Sequence, residues 1–223
     1  MGDSVSYLLA IDTTFGTSVA LLQDGILVTQ VQHELGMKHA ELVGNAIAEV
    51  FTRTGVRPAA VDRVAIGRGP ALFTGLRVGI AAGLMFGEAV AAEIIGVVSH
   101  DAIALNIYSA DGNLPELPLL IHTDARRGEV YWALYGGLDE ANLPVLLAGP
   151  SVGKYEEVVA ELAAEFGPLE ERTGGATAEW VGRLALLQSS AGRESVDTSA
   201  LYLRAPDAAP PKPNQQFGKR VSG

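Results

Sequence analysis

The chain of 223 residues is long enough for one domain or two small ones, and its 48% apolar and 19% charged residues are typical of a folded globular protein. It contains no cysteine, which excludes disulfides, thiol catalysis and cysteine-ligated metals and fits a reducing cytoplasm. The net charge of −10 argues against strong nucleic-acid binding by the chain alone, because basic residues that neutralise phosphates supply most of that affinity. The first twelve residues carry no basic leader, so we expect no secretion signal.

The first half of the chain predicts three strands followed by alternating helices and strands. Apolar runs and the hairpin signal Asp24-Gly25 give strands over 7–12, 17–23, 26–32, 61–66 and 94–98, and helices over 38–53, 74–92 and 102–108. Gly55 and Pro58 end the first helix, and Ser99 or Asp101 is a candidate cap of the last. This order describes a ribonuclease-H-like sheet, the unit of the actin and sugar-kinase superfamily.

The second half resembles an abbreviated repeat of the first. A turn-rich segment, 110–118, marks a domain boundary. After it, strands are predicted over 119–124, 130–135 and 145–148, and helices over 155–166 and 178–188. We therefore predict an α/β protein with a ribonuclease-H-like domain over 1–109, a smaller one over 110–204, and a flexible proline-rich tail over 205–223.

The helix predicted over 74–92 lacks a polar face, since only Arg77 and Glu88 are charged. Its glycines recur at every fourth residue: Gly75, Gly79, Gly83 and Gly87. The preceding helix has a similar row of small residues: Ala40, Gly44 and Ala48. A membrane span conflicts with the mid-segment Glu88 and the flanking strands. Packing on the protein's own sheet and close approach of a partner helix both remain open.

Four sequence blocks carry a resemblance to a known family. In chain order they are L-A-I-D-T-T-x-x-x-T-S-V-A-L, G-x-G-P-x-x-F-T-G-L-R-V-G, D-A-R-x-G-E-V-Y and Y-L-R-x-P. Over residues 8–206 they resemble the bacterial TsaB (YeaZ) family of tRNA threonylcarbamoyladenosine biosynthesis proteins, shortened relatives of TsaD within the glycoprotease-like branch of the actin-like superfamily. The F-T-G-L-R-V-G block is the most specific of the four.

The resemblance implies a noncatalytic, cytoplasmic subunit. TsaD transfers threonylcarbamoyl to N6 of adenosine 37 in tRNAs that read ANN codons, TsaB-like proteins dimerise with TsaD, and the ATPase TsaE joins them. We accordingly expect a TsaD-like and a TsaE-like partner, a homodimer when the chain is isolated, contact with tRNA only through the complex, and no membrane partner. ATP, ADP and metal are expected to belong to the partner subunits, with no cofactor bound tightly by this chain.

The catalytic relative carries an H-x-x-x-H metal pair where this chain has His100 and Ala104. One imidazole does not hold a catalytic metal without further ligands, so we expect no metal and interpret His100 as structural or incidental. The first phosphate loop of nucleotide-binding relatives keeps its outline as a vestigial site: Asp12, Thr13, Thr14 and Gly16. The second loop, T-D-A-R-R-G-E, has a single glycine, and Gly174-Gly175 is either the remnant of an adenosine loop or a turn.

The loop over 66–79 lacks the lysine and spacing of a P-loop, so we expect it to position a dimerising helix, with Thr74 as a candidate cap. The predicted partner interface consists of small and flanking residues of both helices: Ala40, Gly44, Ala48, Phe73, Thr74, Gly75, Arg77, Gly79, Gly83 and Gly87. Arg126 and Arg127 are either solvated turn charges or contacts to phosphate of RNA. An autonomous actin-fold ATPase or kinase, and a metallopeptidase, are the alternative functions.

Overall fold

The protein is described by a computed structural model over residues 5–33, 39–110 and 115–204. The predicted tail at 205–223, the first predicted residue of the helix at 38, and part of the predicted boundary lie outside these ranges. The elements in chain order are β1 Tyr7–Asp12, β2 Thr17–Gln23, β3 Ile26–His33, α1 His39–Thr54, a short 3-10 turn Pro58–Ala60, β4 Val61–Gly67, α2 Phe73–Val90, β5 Glu93–Val97, α3 Ser99–Tyr108, β6 Leu119–Asp124, β7 Glu129–Leu138, β8 Pro144–Lys154, α4 Tyr155–Phe166, β9 Glu170–Thr173 and α5 Ala178–Ser190.

The first sheet has the strand order β3-β2-β1-β4-β5. The hairpins β1–β2 and β2–β3 are antiparallel, whereas β4 and β5 are added in parallel through helical crossovers. Strand β1 is buried on both faces: Leu9 and Ile11 share a core with α1 and α2, while Leu8 and Ala10 share one with α5. This explains its continuous apolar sequence, and the predicted ribonuclease-H-like sheet is confirmed.

The second sheet has the order β8-β7-β6-β9, which reproduces the first four positions of the first sheet. On one face Ile121 and Tyr135 pack with α3 and α5, and on the other Leu120 and Leu134 pack with α4. Helices α3 and α5 therefore lie between the two sheets and share one core with both. The abbreviated second lobe is confirmed, and the boundary at 110 stays a prediction.

Three predictions of local structure were wrong. Strand β9 was missed because E-E-R-T is short and polar, and it joins the sheet by parallel pairing with β6. Helix α3 begins at Ser99, whose hydroxyl bonds to another strand instead of capping the helix. Helix α2 begins at Phe73, and its N-cap Leu72 makes no side-chain hydrogen bond, so Thr74 is not the cap.

Candidate functional site

The predicted nucleotide loop begins with Asp12, whose carboxylate is buried at the end of β1. Its Oδ1 accepts hydrogen bonds from the Thr14 backbone N–H at 2.8 Å and the Thr14 hydroxyl at 2.5 Å, and its Oδ2 accepts one from the Ser99 hydroxyl at 2.7 Å. Burial raises the pKa of Asp12, and these hydrogen bonds oppose that rise. A Cβ at Gly67 would lie 1.9 Å from Oδ2, so the β4 backbone closes over the carboxylate. Asp12 therefore joins β1, its turn, β4 and α3.

Thr13 and Gly16 shape the same turn. Thr13 is buried, and its hydroxyl donates a hydrogen bond to the carbonyl oxygen of Gly75 at 2.8 Å, in the first turn of α2. Gly16 has a φ of 84°, a left-handed conformation that glycine adopts without steric penalty. The four predicted loop residues thus fasten the β1–β2 turn to α2. Their role in binding a nucleotide stays a prediction.

Phe15, at the tip of the same turn, lies against the Gly174-Gly175 turn of the second half. A Cβ at Gly175 would lie 2.0 Å from Cβ of Phe15, so only glycine fits there. The phenylalanine ring thus occupies the space beside the segment that the sequence offered as an adenosine-loop remnant. Sequence reasoning missed this contact, because its two partners are separated by 160 residues and neither belongs to a periodic pattern.

The N-terminus of α5 is also engaged by the first sheet. Free N–H groups at a helix start attract anions unless other groups accept their hydrogen bonds. Here the N–H of Ala178 donates to the Ser18 hydroxyl and the N–H of Glu179 donates to the Gln30 side-chain oxygen, each at 2.9 Å. Two donors that a phosphate could have used are therefore bound by β2 and β3.

The glycine row of α2 faces the protein's own sheet, so its predicted role as an outward partner surface was wrong for Gly79, Gly83 and Gly87. Added Cβ atoms there would lie 2.2, 2.6 and 2.7 Å from the nearest side-chain atoms, which belong, in that order, to Thr13, Ile66 and Ile94. Such distances are far below van der Waals contact. The glycines let α2 approach the sheet closely, which compensates for their low helix propensity.

The exposed side of the two helices lies elsewhere. On α2 it follows Arg77, Ala81 and Met85, at the four-residue spacing that keeps side chains on one face, and Met85 is 74% exposed. On α1 it includes Gly44 and Ala48, and a Cβ added at Gly44 would meet no atom within 4 Å. This outer face consists mainly of small residues and carries few polar side chains.

Four other residues of the predicted interface do not belong to this exposed face as it is described above. Thr74 is exposed and Gly75 is partly buried. Ala40 and Phe73 belong to α1 and α2, but their side chains lie outside the described part of the structure. The predicted interface as a whole stays a prediction.

His100 is buried in the first turn of α3, with Ala104 one turn further on. Its Nε2 lies 3.1 Å from the Thr123 hydroxyl of β6. Burial lowers the pKa of His100 to about 3, and nearby His122 contributes to the shift, so the imidazole is neutral at physiological pH. The side chain connects α3 to the second sheet.

Asp101, the next residue, makes a second link between the same elements. The hydroxyl of Tyr135, a fully buried residue of β7, donates a hydrogen bond to Oδ1 of Asp101 at 2.6 Å. Burial raises the pKa of Asp101 to about 6, against the lowering effects of the Tyr135 hydrogen bond and the charge of Arg68. The sequence interpretation of Asp101 as a helix cap missed this contact.

The sequence did not predict that residues 195–204, called here the strap, run back over the first lobe. The N–H of Gly96 on β5 donates to the carbonyl oxygen of Ser195 at 2.8 Å. The Arg68 guanidinium donates to the carbonyl oxygen of Asp197 at 2.7 Å and pairs with its carboxylate at 2.6 Å. Arg68, from the glycine-rich loop, thus anchors the strap.

Further along, the strap follows α2. The N–H of Leu201 donates to the carbonyl oxygen of Arg68 at 2.8 Å, and Nε of Arg77 donates to the Tyr202 hydroxyl at 2.5 Å. A cavity of about 570 Å³ lies between the strap and α2. It is lined by Arg77, Ile80, Ala81, Leu84, Val196, Asp197, Thr198, Ser199, Ala200 and Tyr202.

We expect Gly96→Ala to displace the strap. The added Cβ would lie 2.0 Å from the carbonyl oxygen of Asp197, and one of the two backbones must move. A net hydrogen bond contributes about 1 kcal/mol, so loss of about two of the strap's hydrogen bonds should lower the free energy of unfolding by about 2 kcal/mol. Hydrogen exchange should show faster exchange of the Leu201 amide in the variant. Unchanged exchange there would contradict this role of Gly96.

Arg126 and Arg127 form the exposed tip of the β6–β7 turn. Both have left-handed backbones, with φ of 65° and 60°, and Gly128 follows with 74°. The guanidinium of Arg126 lies 3.3 Å from the Asp124 carboxylate, and the backbone N–H of Arg126 donates a hydrogen bond to that carboxylate at 2.7 Å. The contact of these two arginines with phosphate stays a prediction.

The turn is held from the end of the strap. Nη1 of Arg204 donates to the carbonyl oxygen of Ala125 at 2.9 Å, and Nη2 pairs with the Glu129 carboxylate. The Arg204 side chain is only 19% exposed. Arg204 therefore connects the Y-L-R block to the D-A-R-R-G-E-V-Y block. The sequence blocks do not reveal this pairing, because 79 residues separate Arg204 from Ala125.

The described ranges contain no group of three or more histidine, cysteine, aspartate or glutamate side chains that could hold a metal ion. None of their helices combines the length and the apolar character needed to cross a membrane. The expectation that the chain binds no metal stays a prediction.

Comparisons with known proteins agree with the fold. The family model described as "TsaD: tRNA N6-adenosine threonylcarbamoyltransferase" matches residues 31–169, more than half of the chain. An uncharacterized protein of Mycobacterium leprae is 38% identical over 161 residues, 67% of this chain and 40% of the relative. The tRNA threonylcarbamoyladenosine biosynthesis protein TsaB of Escherichia coli K12 is 37% identical over 132 residues, 57% of this chain and 54% of the relative.

A solved structure matches a larger part of this chain than these sequence relatives do. YeaZ from Pseudomonas aeruginosa has a TM-score of 0.73 and 26% identity, and the match covers 89% of this chain and 100% of that chain. By contrast, the matches to the two curated sequence relatives span only 40% and 54% of their length.

Proposed function

We propose, from the premise that this chain belongs to the TsaD family and is a TsaB/YeaZ-type protein, that it is a noncatalytic subunit in the biosynthesis of threonylcarbamoyladenosine in tRNA. In this role it binds a catalytic TsaD-like subunit that transfers the threonylcarbamoyl group to N6 of adenosine 37 in tRNAs that read ANN codons. A TsaE-like ATPase joins the pair, and the assembly works in the cytoplasm, where its tRNAs are. ATP, ADP and metal are held by the partners.

The observation that carries the proposal is the outer face of α1 and α2. Met85 is 74% exposed, Ala81 on the same face of α2 is exposed as well, and the small residues Gly44 and Ala48 are exposed on α1, which packs against α2. Protein interfaces are enriched in methionine, arginine and aromatic residues and depleted of lysine, glutamate and aspartate. Because the glycines of α2 are used internally, this opposite side is the part of the helix available to a partner.

The noncatalytic assignment is supported by the residues that stand where catalytic relatives bind nucleotide or metal. The carboxylate of Asp12 is buried and accepts hydrogen bonds from the chain itself, and Phe15 lies beside Gly175. His100 is buried against β6, and Ala104 provides no second ligand. Asp12 thus holds elements of the first lobe together, while Phe15 and His100 contact the second lobe.

Binding to a TsaD partner provides the test. We expect Met85→Lys to weaken association at least tenfold, because a charge would be buried at the centre of the interface. Ile26→Lys is the matched control, since Ile26 is 71% exposed but lies at the start of β3, away from α2. Isothermal titration calorimetry with the wild-type and both variant chains measures the affinities, and tRNA modification by the full assembly gives the functional readout.

Two outcomes would contradict the proposal. Equal affinity of the Met85→Lys and Ile26→Lys chains would show that the outer face of α2 is not the interface. Tight ADP binding by the isolated chain, combined with ATP hydrolysis, would instead favour an autonomous ATPase. Both variants replace exposed residues, so similar melting temperatures should confirm that the fold is intact.

A further inference from the structure

We propose that the β6–β7 turn is a phosphate-binding site for RNA, formed by Arg126 and Arg127 and held in place by Arg204. The inference rests on the proposed function, because the RNA is the tRNA bound by the whole assembly. It adds to that function a contact made by this noncatalytic subunit. It also assigns a role to Arg204, which acts through the turn as a positioning residue.

The first observation is the backbone of the turn. Arg126 and Arg127 both have a φ near 60°, a region where the Cβ of an L-residue lies too close to the backbone. Glycine or asparagine would form such a turn with less strain, and Gly128 already does so at the third position. Strain of this kind persists at functional sites when the surrounding structure holds it. Two consecutive arginines in this conformation indicate that their side chains are used.

The second observation is what holds the strained turn. The Ala125 N–H donates to the Glu129 carbonyl oxygen at 3.0 Å, and the Glu129 N–H donates to the Arg126 carbonyl oxygen at 3.1 Å. Arg204 then binds both the Ala125 carbonyl oxygen and the Glu129 carboxylate from outside the hairpin. Arg204 thus neutralises Glu129, the acidic residue that begins β7 at the base of the turn.

The third observation is exposure. The Arg126 side chain is 68% exposed, and its partner Asp124 is 65% exposed. An exposed ion pair of this kind contributes little, so a phosphate can replace the carboxylate at small cost. Arginine offers a planar set of N–H donors that fits phosphate oxygens. Two adjacent guanidinium groups at a hairpin tip can contact neighbouring phosphates of one RNA strand.

The net charge of −10 explains why this site needs the assembly. A chain with that charge repels RNA at long range, and two arginines do not overcome the repulsion. Once a catalytic subunit has bound the tRNA, the turn adds a local contact. The proposal thus predicts weak tRNA binding by the isolated chain and a measurable contribution within the complex.

The experiment uses the complex of this chain with its TsaD-like and TsaE-like partners and a tRNA transcript that reads an ANN codon. The test chain carries Arg126→Asn and Arg127→Asn, because asparagine accepts the left-handed backbone. The control is Arg172→Asn, since Arg172 is also an exposed, paired arginine of the second sheet. Complex formation is measured first by gel filtration, and tRNA affinity is then measured by filter binding over a range of salt concentrations.

We expect the double variant to be at least as stable as the wild type, to form the complex, and to bind tRNA about tenfold more weakly at physiological salt. The slope of log affinity against log salt concentration should fall by about 1 for each arginine. Arg204→Met should weaken tRNA binding as well, whereas Arg172→Asn should not. A purely structural turn would not change the salt slope.

Other results overturn the inference. Unchanged tRNA affinity and salt slope in the double variant would exclude the phosphate contact. Loss of complex formation in the double variant alone would show that the turn binds a protein partner. Failure of the wild-type chain to form any complex would remove the proposed function together with this inference.

Discussion

Gly83→Leu is expected to destabilise the fold strongly. The first atom of the new side chain would lie 2.6 Å from Cγ1 and 2.7 Å from Cδ1 of Ile66, a fully buried residue of β4. Overpacking of this kind costs about 3 kcal/mol or more, whereas the gain in helix propensity from removing glycine is at most about 1 kcal/mol. Packing therefore dominates, and thermal unfolding should show a melting temperature lower by about 5–10 °C.

Ala81→Leu is the matched control on the same helix. Ala81 is exposed, so leucine there adds volume on the outer face without entering the core. Its melting temperature should stay close to that of the wild type, while association with a TsaD partner changes. Equal melting temperatures of the Gly83→Leu and wild-type chains would show that α2 does not press its glycines against the sheet.

The two variants also show what the sequence could determine about α2. The four-residue spacing correctly placed the glycines on one face, because that spacing nearly matches the helical repeat. It could not determine which face, since the residues around the helix are apolar almost everywhere. The decisive contacts are with Ile66 and Ile94 on neighbouring strands, which a pattern within the helix does not contain.

The sheets were predictable for a similar local reason. Strand β1 is an almost continuous apolar run, β6 begins with three buried apolar residues, and Asp24-Gly25 marks the turn between β2 and β3. By contrast, β9 is polar and is defined only by its pairing with β6. Local pattern predicts an element that buries its own side chains, and it fails where a neighbouring strand supplies the hydrogen bonds.

The candidate site depends still more on distant contacts. Asp12 and Thr13 could be identified from their motif, but their hydrogen bonds to Ser99 and Gly75 required the fold. The Y-L-R block was recognisable in sequence, whereas the contact of Arg204 with the β6–β7 turn was not. Long-range polar contacts of this type involve single residues, which carry no periodic signal.

Asp101 provides the second large effect, a stability that depends on pH. Burial raises its pKa from 3.8 to about 6, so the folded state favours the protonated carboxyl. The stability that this group supplies is therefore present below about pH 4 and is lost as the pH rises through 6. A displacement of the pKa from 3.8 to about 6 corresponds to about 3 kcal/mol.

Asp101→Asn should consequently stabilise the protein at neutral pH. The asparagine oxygen can still accept the hydrogen bond of the buried Tyr135 hydroxyl, and it carries no charge to desolvate. Against this gain, the first turn of α3 loses a favourable interaction between a carboxylate and the helix dipole, about 0.3–1 kcal/mol. We expect a net increase of about 2 kcal/mol in the free energy of unfolding at pH 7–8, and little difference near pH 4.

Urea unfolding of the wild type and the variant between pH 4 and pH 8 measures this difference directly. Asp139→Asn is a control of opposite sign, because the Leu143 N–H and Arg193 hold the pKa of Asp139 below its usual value. That variant should be less stable than the wild type at neutral pH, and its deficit should shrink on acidification. Destabilisation of the protein by Asp101→Asn at pH 7–8 would contradict this prediction. It would show that solvent or the charge of Arg68 compensates the carboxylate. The charged form of Asp101 would then stabilise the contact of α3 with Tyr135 of the second sheet.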